Sequence, residues 1–180
     1  MSNVLEIAQL GNPVLRDIAQ PIYNVHDPAV QTLIDDLLTT MLEGNGVGIA
    51  APQVGQSRRI LIVASRPNLR YPNAPTMAPI VMVNPHLLSH SEETTTDWEG
   101  CLSIPGMRGK VKRYRAIEVE YMTRTGEMER REFHDFIARI FQHEFDHLGG
   151  KVFLDRVDRV QNLITEKEYL KQSVPTKVQA

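Results

Sequence analysis

A single cysteine, Cys101, stands in a chain of 180 residues. One thiol excludes an internal disulfide and fits a reducing compartment. Alone it reads as a small buried hydrophobe, and its neighbours decide whether it is instead a nucleophile or a metal ligand. Long apolar runs are missing: nothing approaches the roughly 20 residues needed to span a bilayer, so no membrane partner is expected. The opening residues, MSNVLEIAQLGNP, hold neither a basic region followed by an apolar core nor an Arg-rich leader, and the expectation is a cytoplasmic protein. Excess charge of one sign is missing too. The chain has 20 Lys and Arg against 22 Asp and Glu, which gives no sign of a specific nucleic-acid partner. There is no internal repeat, low-complexity block or linker. With 42% hydrophobic and 23% charged residues the composition is that of an ordinary globular protein. One domain over residues 1–172 is expected, followed by a flexible tail over 173–180.

What is present centres on Gln142 to Gly150, QHEFDHLGG. If this stretch is helical, His143 and His147 sit at i and i+4, one imidazole above the other on a single face. That spacing lets two neutral imidazoles bind one metal ion, with Glu144 beside them to handle a proton. The positions 136, 140, 143 and 147 form one stripe, so Phe136 and Ile140 point the way the histidines do, into the interior. Asp135 is expected to cap the start, and Gly149-Gly150 to supply the stop. Two histidines at this spacing are also compatible with ordinary core or surface groups.

Asp27-Pro28 opens an earlier helix, in which Val30, Leu33, Ile34, Leu37, Leu38, Met41 and Leu42 make one apolar side. It reads as scaffold. Gly46 to Gly55, GVGIAAPQVG, has little side-chain bulk and lets another backbone or an extended ligand come close. A phosphate-cradling loop is the competing reading, and a weak one, since the stretch lacks G-x-x-x-x-G-K and no helix pattern follows it. Gln53 is its polar side chain able to donate into a site. Ile60 to Ala64 reads as a buried strand, Ser65 to Pro79 as a Pro-rich irregular loop, and Ile80 to Val83 as a strand ended by Asn84-Pro85. Ile117 to Tyr121 alternates as a half-exposed strand, and Glu127 to Phe133 reads as an edge. Val160, Leu163, Ile164 and Leu170 give a weaker helix pattern. Helices at both ends of a strand-rich middle predict an α+β fold: mixed, largely antiparallel strands around the C-terminal His-Glu-x-x-His helix, with the amphipathic helix near the N-terminus.

Two histidines need a third protein ligand to leave one open position on a tetrahedral ion. Glu166 and Glu168 lie downstream at a spacing used by zinc peptidases, and Cys101 lies upstream in Trp98-Glu99-Gly100-Cys101-Leu102-Ser103. Here the chain resembles a known family. Peptide deformylases carry G-x-G-x-A-A-x-Q, E-G-C-x-S and H-E-x-D-H in that order, and this chain has all three at Gly46–Gln53, Glu99–Ser103 and His143–His147. The resemblance covers residues from the N-terminus to about Asp155.

The resemblance implies an enzyme that removes the formyl group from the N-terminal formyl-methionine of new polypeptides, releasing formate. Cys101, His143 and His147 would bind one divalent metal ion, Fe²⁺ in the cell, with Zn²⁺, Ni²⁺ or Co²⁺ able to occupy the site in preparations. Glu144 would be general base and acid, and Gln53 and the N–H of Leu102 would bind the oxyanion. Gly48 would pair with the substrate main chain like an added strand, bordered by Gly46, Ile49, Glu99 and Gly100. Arg108 aligns with a family arginine near the substrate mouth, and equally fits a solvated basic edge with Lys110, Lys112, Arg113 and Arg115. Phe136, Ile140 and Ile49 are candidates for the methionine pocket. Asp146 either orients a ligand, ties its helix to a strand, or faces solvent. The N-formyl-methionyl nascent chain is the expected partner, and substrate timing suggests the ribosome as another. Two readings stand beside this one: a metallopeptidase with Glu166 or Glu168 as third ligand, and a non-catalytic module that binds N-termini.

Overall fold

The Asp27 carboxylate accepts a hydrogen bond from Ala29 N at 2.9 Å and Pro28 occupies the first turn, so helix α1 runs Pro28–Glu43. The computed structural model describes residues 2–68 and 71–173. After α1 come strands β1 (Gly48–Ala50), β2 (Ile60–Ser65), β3 (Met77–His90), β4 (Thr94–Cys101), β5 (Ile104–Tyr114), β6 (Ala116–Met122) and β7 (Met128–His134). Helix α2 (Asp135–Leu148), strand β8 (Leu163–Thr165) and helix α3 (Glu166–Ser173) follow. The strands form one sheet in the order β1-β2-β3-β6-β7 and a second in the order β4-β5-β8, and their pairings are antiparallel. The fold is α+β with antiparallel sheets.

Side-chain alternation in β2 explains how the layers assemble. Ile60 and Ile62 join Ile34, Leu37 and Met41 of α1 on one face of the larger sheet. Leu61 and Val63 join Ala138, Phe141 and Leu148 of α2 on the other. A strand buried on both faces reads as a continuous apolar run, as ILIVA does. The second sheet packs Cys101, Ile104 and Val111 against Val152 and Phe153, and it meets α2 where Cys101 Sγ lies 3.4 Å from His147 Nε2. Helix α2 thus meets β1, an edge strand of one sheet, and the end of β4, an edge strand of the other.

Several local expectations need correction. Asp135 does not cap α2: His134 is the N-cap, Asp135 takes φ +46, and its carboxylate accepts from Arg115 Nε at 2.8 Å. The helix follows β7 without a linker, so one residue must reverse the chain, and Asp tolerates the left-handed region better than most. Asn84-Pro85 does not end a strand. Strand β3 passes through it with a register shift between Val83 and His86, Asn84 sits at φ +49, and its side chain bonds both backbone groups of Ile22 at 2.9 and 2.7 Å. A bulge is where a strand accepts proline. Strand β3 also starts inside the Pro-rich stretch. The weak helix pattern from Val160 resolves into a short turn, β8 and α3. Strands β4 and β5 had no counterpart in the sequence reading. The stop at Gly149-Gly150 holds, since a Cβ on Gly150, at φ +68, would lie 2.5 Å from the Arg16 carbonyl oxygen. Residues 174–180 of the expected tail lie outside the described residues.

Candidate active site

Helix α2 presents His143 and His147 on one buried face, ring centroids 5.3 Å apart. Strand β4 ends at Cys101, whose Sγ lies 3.4 Å from His147 Nε2. The donor atoms of Cys101, His143 and His147 all fall within 4.8 Å of one another. A tetrahedral ion with sulfur at about 2.3 Å and nitrogen at about 2.0 Å would hold such a pair about 3.5 Å apart, so the three residues fit a small divalent ion. Burial by itself raises the Cys101 thiol. The charge of His147 and hydrogen bonds from both histidines outweigh it and hold the group well below its ordinary value, in the thiolate form a metal needs. The other proposed third ligands stand elsewhere. Glu166 accepts from Arg108 Nη2 at 3.2 Å, and Glu168 accepts from Lys171.

Glu144 is 4% exposed and its Oε2 has no hydrogen-bond partner among the described residues. Burial pushes its carboxyl up to about 7, against the pull of the His143 and His147 charges. Gln53 is locked by Ala50 N–H, which donates to its Oε1 at 2.8 Å, and this aims Nε2 at Cys101 Sγ and Ser103 Oγ, each 3.4 Å away. Gly48 faces α2 because Ile49 faces α1. A Cβ on Gly48 would lie 2.6 Å from Glu144 Oε1 and 2.9 Å from Ile140 Cγ2, so only glycine lets the carboxylate sit beside the strand. Gly48→Ala should keep the metal and lose about 10²-fold in kcat, the scale of a misplacement near 1 Å. Metal analysis beside steady-state kinetics checks this, and an unchanged kcat would count against it.

A buried ion network backs the cluster. Glu99 accepts from Arg113 Nε and Nη2 at 2.9 Å each, from Arg139 Nη1 at 2.9 Å, and faces His143 Nδ1 at 2.9 Å. A carboxylate in that company accepts, so His143 Nδ1 carries the proton and Nε2 is the nitrogen available on the Cys101 side, where a metal would be held. Asp146 accepts from Arg113 Nη1 and Arg156 Nη2, both at 2.6 Å. It ties α2 to β5 and does not face solvent.

The cleft above the cluster is lined by Gly46, Val47, Gly48, Gln53, Tyr71, Glu99, Gly100, Leu102, Phe136, Ile140 and Glu144. Two expected members are absent. Ile49 alternates away from the cleft and packs in the α1 core. Arg108 is fully buried behind the cleft, neither lining it nor solvated. Tyr71, Val47 and Arg139 line the cleft and Arg113 supports it, all four missed from the sequence. Arg113 had a readable signal: it lies two residues from Val111, on the inward side of β5.

The family model described as polypeptide deformylase matches residues 4–163. Peptide deformylase 2 of a Nostoc species is 58% identical over 166 residues, 92% of this chain and 93% of that protein. A class I type b peptide deformylase from Acinetobacter baumannii, solved with Met-Ala-Ser bound, is 50% identical with a TM-score of 0.85, covering 87% of this chain and 100% of that one. The peptide deformylase of Thermotoga maritima, 36% identical, superposes with a TM-score of 0.77 over 87% of this chain and 99% of its own.

Proposed function

The chain belongs to the polypeptide deformylase family, and on that premise we propose how its residues divide the work of removing the formyl group from the N-terminal formyl-methionine of new polypeptides. The observation that carries the proposal is the buried trio of Cys101, His143 and His147 with Glu144 and Gln53 directed at the same point. Residues 1–172 act as one catalytic domain. Cys101, His143 and His147 would hold a single divalent ion, Fe²⁺ in the cell on this proposal; one thiolate with two imidazoles would also suit Zn²⁺, Ni²⁺ and Co²⁺. A divalent ion there supplies Lewis acidity, which brings a water toward ionisation at neutral pH.

The free edges of β1 and β4 both border the cleft. An extended peptide enters as an added strand, its main chain against Gly46 and Gly48 on one side and Gly100 on the other. The side chain beside the formyl group enters between Phe136 and Ile140. Glu144 takes the proton of the attacking water and later gives it to the leaving amine, which departs as the new N-terminus. As charge develops on the formyl oxygen, Gln53 Nε2 and Leu102 N–H donate to it, and one such donor contributes about 3 kcal/mol. Glu99, held by Arg113 and Arg139, keeps His143 in the ligating orientation.

Formate release from formyl-Met-Ala-Ser by anaerobically purified protein tests the assignment, wild type beside Cys101→Ala with metal measured on both. The variant should bind metal more than about 100-fold more weakly, beyond the usual 10–100-fold cost of losing an outer-shell partner, and release no formate. Full activity in Cys101→Ala would return the third-ligand role to a glutamate. No release by metallated wild type would leave a binding module. The cytoplasm, where new polypeptides are made, is the proposed site of action; separately, no helix among the described residues is long and apolar enough to cross a membrane. Because the substrate first appears as a chain emerges, association with the ribosome is part of the proposal; failure to co-sediment with ribosomes would overturn it.

A further inference from the structure

We propose that Tyr71 is a specificity-determining residue, the wall of the side-chain pocket facing Phe136, and that Arg108 and Tyr169 are positioning residues that hold it there from the C-terminal helix. The inference rests on the deformylase reading above. Tyr71 comes from the Pro-rich segment after β2, yet it lines the catalytic cleft. Its ring lies 5.0 Å from that of Phe136 at an interplanar angle of 54°. Its backbone is fixed: Asn68 and Tyr71 exchange main-chain hydrogen bonds, Tyr71 N also donates to Asn68 Oδ1 at 2.9 Å, and its carbonyl accepts from Ala74 N at 3.2 Å.

The Arg108 guanidinium lies over the Tyr71 ring at 5.2 Å and over the Tyr169 ring of α3 at 4.2 Å. Arg108 is fully buried, and its Nε and Nη1 have no hydrogen-bond partner among the described residues. Its plane is set by the Glu166 contact and by the two ring faces. Phe136, Tyr71, Arg108 and Tyr169 are thus one run of contacting planar groups from α2 through the cleft to α3. Tyr169 is seated in turn against the edge of Trp98 on β4, at 5.9 Å. A cation held between two rings resists sliding of either ring, so α3 fixes the position of Tyr71 without touching the cleft. The occupant this wall suits is an unbranched, polarizable side chain. A thioether lying along the contacting rings of Tyr71 and Phe136 makes the sulfur–aromatic contacts that an alanine methyl cannot reach.

The test is steady-state deformylation of formyl-Met-Ala-Ser and formyl-Ala-Ala-Ser by wild type, Tyr71→Ala, Tyr71→Leu, Tyr169→Leu and Tyr169→Phe, with metal content and melting temperature recorded for each. Both Tyr71 variants should lose about tenfold or more in kcat/KM on the Met peptide through KM, and change less than about twofold on the Ala peptide. Tyr71→Leu keeps apolar bulk and carries the test if Tyr71→Ala fails to fold. Tyr169→Leu should raise KM for the Met peptide roughly threefold, with kcat held, while Tyr169→Phe, which keeps the ring, should match wild type. Equal losses on both peptides would mark a general lesion and overturn the specificity role. Tyr169→Phe falling as far as Tyr169→Leu, or Tyr169→Leu with unchanged KM, would overturn the positioning role. Wild type inactive on both peptides would instead overturn the deformylase reading, and this inference with it.

Discussion

Glu144→Gln is expected to lose about 10²–10⁴-fold in kcat, the span usually supplied by a positioned proton carrier, while folding normally and binding its metal. Glutamine matches the volume of glutamate, and Oε1 lies where only the bare Cα of Gly48 leaves space, so the substitution alters chemistry without altering packing. Neither histidine nor Cys101 depends on Glu144 for a hydrogen bond. The carboxylate is 4% exposed, which removes bulk water as a competing base. Burial raises the ordinary carboxyl value and the two imidazoles pull it back, leaving a group near 7 that can both accept and return a proton at neutral pH. The measurement is kcat for formyl-Met-Ala-Ser on metal-replete variant protein. A kcat within about tenfold of wild type would remove Glu144 from the base role. It would point instead to ionisation of the water with no protein base.

The residues that come together at the candidate site were legible because they are chemically distinctive and sit in three short motifs. The framework was legible only where hydropathy has a period. Helix α1 and strand β2 announce themselves by apolar spacing, and β6 by alternation. Strands β4 and β5 do not. Their buried positions include Glu99 and Arg113 on one face and Arg108 on the other, charged residues that are buried because each meets an opposite charge. To a hydropathy reading TTTDWEGC and IPGMRGKVKRY are polar on both faces, and a solvated basic edge is the natural inference. Pairing is a tertiary fact that no local pattern carries. Tyr71 escaped for a different reason: a segment fixed by reciprocal turn bonds with Asn68 has no periodicity that says which side chain turns inward. Ile49 was misplaced because one residue in an extended strand changes the face. The motif glycine at position 48 needs the α2 side, which commits Ile49 to the other.

That hidden charge network supports the other large expected effect. Arg113→Met should destabilise the protein by about 3–5 kcal/mol, because it removes one partner from a buried ion pair and leaves the others without full compensation. Arg113 holds Glu99 with two hydrogen bonds and Asp146 with one. Arg139 remains on Glu99 and Arg156 on Asp146, so the fold survives. The pH dependence separates this loss from a simple packing defect. Burial tends to raise the Glu99 carboxyl, but Arg113 and His143 override it and hold the group well below the usual range. For Asp146 burial is likewise overridden, by Arg156 and Arg113. Folded values lie below unfolded ones, so the unfolded state binds more protons as pH falls. Stability from these groups is complete above the unfolded values of about 4, and is lost as pH falls through the folded values. Without Arg113 the folded values rise and less stability remains to be lost. Urea unfolding of the metal-free proteins should therefore show a wide gap between wild type and Arg113→Met at neutral pH that narrows below about pH 4. The same variant should bind metal about 10–100-fold more weakly, since Glu99 no longer fixes the His143 ring. A gap that stays constant with pH would assign the loss to packing of the arginine stem, and unchanged metal affinity would separate Glu99 from the orientation of His143.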